Sequence, residues 1–205
     1  MSMEIEFKWD ANVPRAFYKM QRAVRLSGAR VLSTQNWNIT DVYLDAPARD
    51  FEKQKVAFRV RCSNQNWEAT FKTRTEIVNG KAVRREETLP LPGVRNLQEA
   101  LEFLHRKKMW KGLCVKNLQP LFVLKNRRKT QLIIFHNTQA EVAYDTCEIG
   151  VCGRKVSFKE IEMELKKGSQ ATFEKLGEVL QIGLQKAHVS KVKTAFALLN
   201  LWGKR

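Results

Sequence analysis

From Met3 to Trp9 apolar and charged residues alternate without a break: Met3, Ile5, Phe7 and Trp9 take one parity, Glu4, Glu6 and Lys8 the other. Successive side chains of a strand point to opposite faces, so the stretch predicts a strand with two carboxylates and an ammonium in a row on one face. The pattern returns along the chain. In "KVAFRVRCS" Phe58 and Val60 oppose Arg59 and Arg61, and in "NWEATFKTR" Trp67, Ala69 and Phe71 oppose Glu68, Thr70 and Lys72. In "KEIEMELKK" Ile161, Met163 and Leu165 oppose Glu160, Glu162 and Glu164. "NWNITDVYLDA", closed by Pro47, reads as another strand, and "LFVLKNRRKT", "QLIIFHN" and "AEVAYDTCEIG" read as three more, separated by short polar turns. In "EIVNGKAVRREETLPL" the dipeptide Asn79-Gly80 is a strong hairpin signal.

Helical spacing interrupts the strands. "VPRAFYKMQRAVRLSGA" carries an apolar stripe of Phe17, Met20, Ala23 and Val24, with Gly28 as a stop. "NLQEALEFLHRKKMWKG" buries Leu97, Leu101, Leu104 and Met109 and ends at Gly112, and "SQATFEKLGEVLQIGLQ" and "KVKTAFALLNLWG" close the chain as helices. No fixed repeat and no linker rich in Pro, Gly or Ser divides the sequence. The reading is a single α+β domain over residues 1–205, a meander of antiparallel strands partly covered by helices.

Charge narrows the function. The net charge of +16 and a pI near 9.9 call for an anionic partner: nucleic acid, an acidic membrane surface or a small polyanion. The apolar run "TAFALLNLW" is too short to span a bilayer, and the acidic, alternating N-terminus is no signal peptide, so a soluble, cytoplasmic protein is expected. Cys62, Cys114, Cys147 and Cys152 lack paired metal-ligand spacing, and His105, His136 and His188 are scattered, so free thiols and no zinc site are expected. "NIT" at Asn38 spells a glycosylation sequon, but nothing points to secretion.

A solvent-facing sheet explains charged alternation on any one strand. Its recurrence on every long strand points elsewhere. A sheet of many strands curls or closes, and rows of Glu beside rows of Arg and Lys would then line an interior. Neighbours on one strand face are about 7 Å apart, so adjacent glutamates repel unless a cation lies beside them. Carboxylates hold hard cations such as Mg²⁺ or Mn²⁺, and arginine and lysine hold phosphate oxygens.

The ordered set of motifs resembles a known family. "EIEFK" looks like the Glu-x-Glu-x-Lys opening of the CYTH superfamily, the triphosphate tunnel metalloenzymes, which include inorganic triphosphatases, thiamine triphosphatases and class IV adenylate cyclases. "YLDAP", "FRVR", "ATFK", "RREE", "KNRRK", "VAYDTCEIG", "EIEMELKKG" and "VSK" follow in the family's order across nearly the whole chain. "YLDAP" departs from the family's Tyr-Tyr-Asp-Thr-Pro in lacking the second Tyr and the Thr. The resemblance implies a closed eight-stranded antiparallel β-barrel with flanking helices, and hydrolysis of a triphosphate inside it. Inorganic triphosphate, cleaved to pyrophosphate and phosphate, is the expected substrate.

By the same resemblance Glu4, Glu6, Asp145, Glu160, Glu162 and Glu164 would hold Mg²⁺ or Mn²⁺. Lys8, Arg59, Arg61, Lys72, Arg85, Arg127, Arg128 and Lys191 would bind the triphosphate, and Glu4, Glu6, Lys8, Lys72, Glu160 and Glu162 would form the catalytic set. The sequence leaves open whether Arg127 or Arg128 faces inward, and likewise Glu86 or Glu87. A nucleotide cyclase is one rival, without a base-reading motif to support it. A thiamine triphosphatase is another, needing an aromatic at the tunnel mouth; Trp37, Trp67 and Trp110 are candidates, though core packing is the commoner role. A non-catalytic polyphosphate or nucleic-acid binder is the rival of another class, and nucleic acid the less favoured partner, because acidic rows repel a phosphate backbone. No membrane partner is expected, and either a monomer or a homodimer is compatible with the sequence.

Overall fold

The computed structural model describes residues 5–72, 76–78, 81–83, 86–107, 117–181, 183–187 and 190–203. The elements run β1 (Glu6–Asp10), α1 (Ala16–Leu26), β2 (Arg30–Asp45), α2 (Asp50–Lys53), β3 (Ala57–Ser63), β4 (Asn66–Lys72), β5 (Glu76–Val78), β6 (Lys81–Val83) and β7 (Glu86–Pro90). They continue with α3 (Leu97–Lys107), β8 (Gln119–Phe135), β9 (Thr138–Val151), β10 (Arg154–Lys167), α4 (Gln170–Leu180) and α5 (Lys191–Trp202). This is an α+β fold: eight strands form one antiparallel sheet in the order β1-β10-β9-β8-β2-β3-β4-β7, flanked by helices. β5 and β6 pair apart from it, Val78 opposite Lys81, in agreement with the hairpin signal between them.

The alternation read from the sequence sorts the two faces of the sheet. Ile161 and Met163 of β10 and Ile133, Val142 and Tyr144 of β8 and β9 pack under Met20, Ala23 and Val24 of α1 and Phe173, Leu176 and Leu180 of α4. Phe58, Val60 and Ala69 pack with Ala100 and Leu104 of α3. Each fully buried Val, Leu, Ile, Phe or Met among them contributes about 1.5–3 kcal/mol, so the helices fix which face is left for the charged rows. On that other face the parity that carries Asp145 turns apolar at one end. There Cys147 and Ile149, with Leu124, Phe122 and Tyr43, pack against Ala195 and Leu199 of α5. The C-terminal helix thus covers one end of the charged face.

Several elements differ from the expectation. "LFVLKNRRKT" and "QLIIFHN" form one strand, β8, because no turn residue separates Thr130 from Gln131 and the register with β9 runs on from Val123 to Phe135. β2 begins at Arg30, before "NWNITDVYLDA"; its first residues are exposed on both faces, so no alternation marks them, and pairing with β8 makes the strand. α4 stops at Leu180 although its pattern runs on to Gln185, and Gly183 follows in the left-handed region at φ 65°. The short α2 is organised by the buried carboxylate of Asp45, which accepts from the backbone N–H of Ala46, Phe51 and Glu52. Cys62, Cys147 and Cys152 are free thiols, while Cys114 lies outside the described residues. No helix among the described residues is long and apolar enough to cross a membrane.

Candidate active site

Register brings the charged rows together. Glu6 stands opposite Glu164 and Lys8 opposite Glu162 across β1 and β10. Glu160 stands opposite Asp145, and Asp145 opposite Arg128, across β10, β9 and β8. On the far side Asp41 of β2 stands opposite Arg61 and Tyr43 opposite Arg59. Side chains from β1, β2, β3, β4, β8, β9, β10 and the start of α5 line one cavity of about 280 Å³. β1 and β4 are six strand steps apart in the sheet, about 29 Å if it lay flat; facing one small cavity requires the sheet to curl strongly round it.

One pole of the site is rich in carboxylates. Arg128 donates to Asp145 through Nε and Nη2 at 2.7 and 2.6 Å, and also to Glu162. Lys8 Nζ lies 2.9 Å from Glu162 and 3.2 Å from Glu6. Lys191 Nζ lies 3.0 Å from Asp145 and 2.8 Å from Glu162, and bonds Glu160 as well. Burial works against the charge of Glu162, but Lys191, Lys8 and Arg128 overcome it and hold the carboxyl well below its usual range. Asp145 is likewise lowered, against its burial, by Arg128 and Lys191. Burial, helped by the neighbouring Glu162, pushes Glu160 up to about 7 in spite of Lys191. Asp145, Glu160 and Glu162 each offer an oxygen within 4.8 Å of the others, a set of hard donors that fits Mg²⁺ or Mn²⁺.

The other pole is cationic. Asp41, 2% exposed, accepts from Arg61 Nε and Nη2 at 2.6 and 2.8 Å and lies 3.6 Å from Arg59 Nη1. Burial opposes its ionisation, yet the Arg61 hydrogen bond and the Arg59 charge hold its carboxyl below the ordinary value. Arg59, Arg61 and Lys72 line the cavity beside Asn126 and Tyr43.

Of the residues expected from sequence, Glu6, Lys8, Arg59, Arg61, Lys72, Arg128, Glu162, Glu164 and Lys191 line the cavity, and Asp145 and Glu160 are bonded to its wall. Glu164 pairs with Lys166 at 2.7 Å, outside the three-carboxylate group. Arg127 does not join them: its parity is opposite to that of Arg128, and it lines a separate groove with Lys125 and Asn38. Glu87 stands opposite Phe71, while Glu86 takes the register position opposite Lys72. Glu4 and Arg85 lie outside the described residues. Asp41, Tyr43 and Glu141 were not anticipated as part of the site. The alternation of Asp41 with Tyr43, and of Glu141 with Ala143 and Asp145, is the signal that marks them.

Residues 2–196 match the CYTH domain model. The chain belongs to the CYTH family. Over 139 residues, 68% of this chain, it is 32% identical to an inorganic triphosphatase of Haemophilus influenzae. The match spans 39% of that relative, so this CYTH chain covers well under half of its length. Among solved structures it resembles the PH1819 protein of Pyrococcus horikoshii, with a TM-score of 0.61, 19% identity, and 95% of this chain and 99% of that one covered. It also resembles a Hippeastrum protein described as revealing a dominant triphosphatase activity, with a TM-score of 0.62, 17% identity, and coverage of 100% and 97%. At those identities the two structures speak for a shared CYTH fold alone.

Proposed function

We propose that this CYTH protein is a divalent-metal-dependent triphosphatase that cleaves inorganic triphosphate to pyrophosphate and phosphate, and that its curled sheet closes into an eight-stranded tunnel around the substrate. The observation that carries the reading is the two-poled cavity: Arg59, Arg61 and Lys72 at one side, and Asp145, Glu160 and Glu162 with their cations at the other. A triphosphate chain carries several negative charges, and its hydrolysis needs positioning and charge neutralisation more than a covalent nucleophile. Arg59, Arg61, Lys72 and Arg128 would bind its oxygens, with Lys8 and Lys191 beside the scissile end. Asp145, Glu160 and Glu162 would hold Mg²⁺ or Mn²⁺, with Glu6 and Glu164 on the same charged face. Such an ion would supply positive charge to neutralise the triphosphate and would acidify a water.

Size and lining favour an inorganic substrate. A cavity of about 280 Å³ is at the small end for a ligand site, and Tyr43 is the one aromatic residue among the described residues that line it. Trp67 packs in the core beside α3, and Trp37 lines a groove with Arg127 and Phe17, so neither offers a platform for adenine or a thiazolium ring in the cavity. Trp110 lies outside the described residues.

Phosphate release from inorganic triphosphate, ATP and thiamine triphosphate, each with Mg²⁺, Mn²⁺ or EDTA, tests the proposal. The expected result is rapid release from inorganic triphosphate that EDTA abolishes, with slow release from the other two. Pyrophosphate and a cyclic nucleotide from ATP would make the protein a cyclase. Tight triphosphate binding without any release would make it a binding module.

A further inference from the structure

Lys191 occupies an unusual place for a cation. It is the first residue of α5, directly after the cap Ser190, whose Oγ accepts from Lys193 N at 3.3 Å. The N-terminal end of a helix dipole is positive and disfavours an ammonium. What offsets this are the carboxylates of Asp145, Glu160 and Glu162, all three in contact with Nζ. These are the same three whose oxygens lie within 4.8 Å of one another. Oxygen ligands about 2.1 Å from a Mg²⁺ ion lie about 3–4 Å apart, so an ammonium and a divalent ion would compete for one position.

The root of Lys191 is tied down by the first turn of α5, where Thr194 N donates to Ser190 O at 3.0 Å and Lys193 N to Ser190 Oγ. Earlier in the chain Gln185 and Ala187 are held along the edge of β1, Asp10 N donating to Gln185 O and Ala187 N to Lys8 O, both at 2.9 Å. Movement is therefore left to the flexible four-carbon stem of the side chain. Lys191 also lines the cavity shared with Arg59, Arg61 and Lys72, so a phosphate oxygen bound there would be within its swing. Lys8, Arg128 and Lys191 already compensate Asp145, Glu160 and Glu162, with Glu6 sharing Lys8. A divalent ion entering alone leaves the displaced ammonium without an anionic partner. One entering with a polyanion does not.

We propose that Lys191 is an internal counter-ion that guards the carboxylate cluster against free divalent ions, so that the metal enters together with the triphosphate while the ammonium passes from carboxylate to phosphate oxygen. The inference rests on the triphosphatase reading above and adds an order of binding to it.

The test is Mn²⁺ binding to the full chain by equilibrium dialysis, for wild type, Lys191→Gln and Lys191→Met, with melting temperatures to establish that each variant is folded. Lys191→Met keeps the aliphatic packing without the charge. Both variants are expected to bind Mn²⁺ alone at least tenfold more tightly than wild type. Wild type is expected to take up the pre-formed complex of Mn²⁺ with non-hydrolysable imidotriphosphate at least tenfold more tightly than Mn²⁺ alone, and the variants to lose that preference. Equal affinity of all three proteins for Mn²⁺ alone would overturn the counter-ion role. Failure of every protein to bind imidotriphosphate would instead remove the triphosphatase reading, with the comparison in Mn²⁺ alone still deciding what Lys191 does.

Discussion

The carboxylate of Asp41 is almost fully buried, gripped on two edges by Arg61 and flanked by Arg59. It holds both guanidiniums at the cationic pole, so Asp41→Asn should leave Arg59 and Arg61 without the buried carboxylate they share. We expect a loss of about 3–5 kcal/mol at pH 7, read from urea unfolding, and a rise of about tenfold in KM for inorganic triphosphate. The sign of the pH dependence follows from the lowered pKa. A depressed folded-state value contributes stability above the ordinary value of 3.8 and loses it as pH falls through the folded value. The gap between wild type and Asp41→Asn should therefore be constant at neutral pH and narrow below about pH 3.8. A gap that stays constant into acid would mean that the Asp41 carboxyl is not held below its ordinary value in the folded protein. Arg127 and Arg128 give a second comparison. Arg128→Ala should lower kcat/KM by about 100-fold or more, whereas Arg127→Ala, in a groove of its own, should stay within about threefold; equal losses would refute the inward register. These two residues also mark what was legible in the chain. Alternation along one strand displays which charges share a face, so Glu6 with Lys8 and Arg59 with Arg61 could be read directly. Choosing between adjacent arginines, or finding that Asp41 meets Arg61, depends on cross-strand register, which no local pattern encodes.

Helix α4 sits so close to β1 that Gly177 faces the ring of Phe7. A Cβ at that position would lie 2.5 Å from Phe7 Cε2. The ring has little room to yield, being stacked on Trp9 at 5.7 Å between centroids and packed on Phe173 at 5.3 Å. Alanine would raise helix propensity by about 1 kcal/mol, but overpacking of this kind costs about 1–3 kcal/mol. Gly177→Ala should therefore lower the urea midpoint, and Phe7→Leu in the same chain should recover part of the loss in a double-mutant cycle. A midpoint that rises would show that the ring gives way. The same contact explains why some elements were readable and others not. α1 and α4 announce themselves because their apolar stripes face a sheet. The first half of β2 is exposed on both faces and carries no stripe, so only its hydrogen bonds to β8 make it a strand. The tail of the α4 pattern, Gln181 to Gln185, has helical spacing, but backbone bonds to β1 claim the segment that follows. In both cases a neighbour distant in sequence decided the local structure.

At the scale of the whole molecule the net charge of +16 exceeds what the cavity uses. Within the site the carboxylates of the acidic pole are paired with cations, and among the described residues part of the surplus lies on outer surfaces, as with Lys125 and Arg127 on the face opposite Arg128. Such a field cannot choose between substrates, but it raises the encounter rate for any small polyanion. Surface attraction is screened over about 8 Å at physiological ionic strength, whereas ion pairs as buried as Arg128–Asp145 feel salt far less. The two contributions should therefore separate in a salt series. Between 0.05 and 0.5 M KCl, with Mg²⁺ held saturating, kcat/KM for inorganic triphosphate should fall by about tenfold while kcat stays within about twofold. Parallel loss of kcat would mean that salt disrupts the site itself, through the more exposed Lys8–Glu6 pair. A kcat/KM independent of salt would mean that the surplus charge has no part in substrate capture and that the outer basic face serves another anionic partner or none.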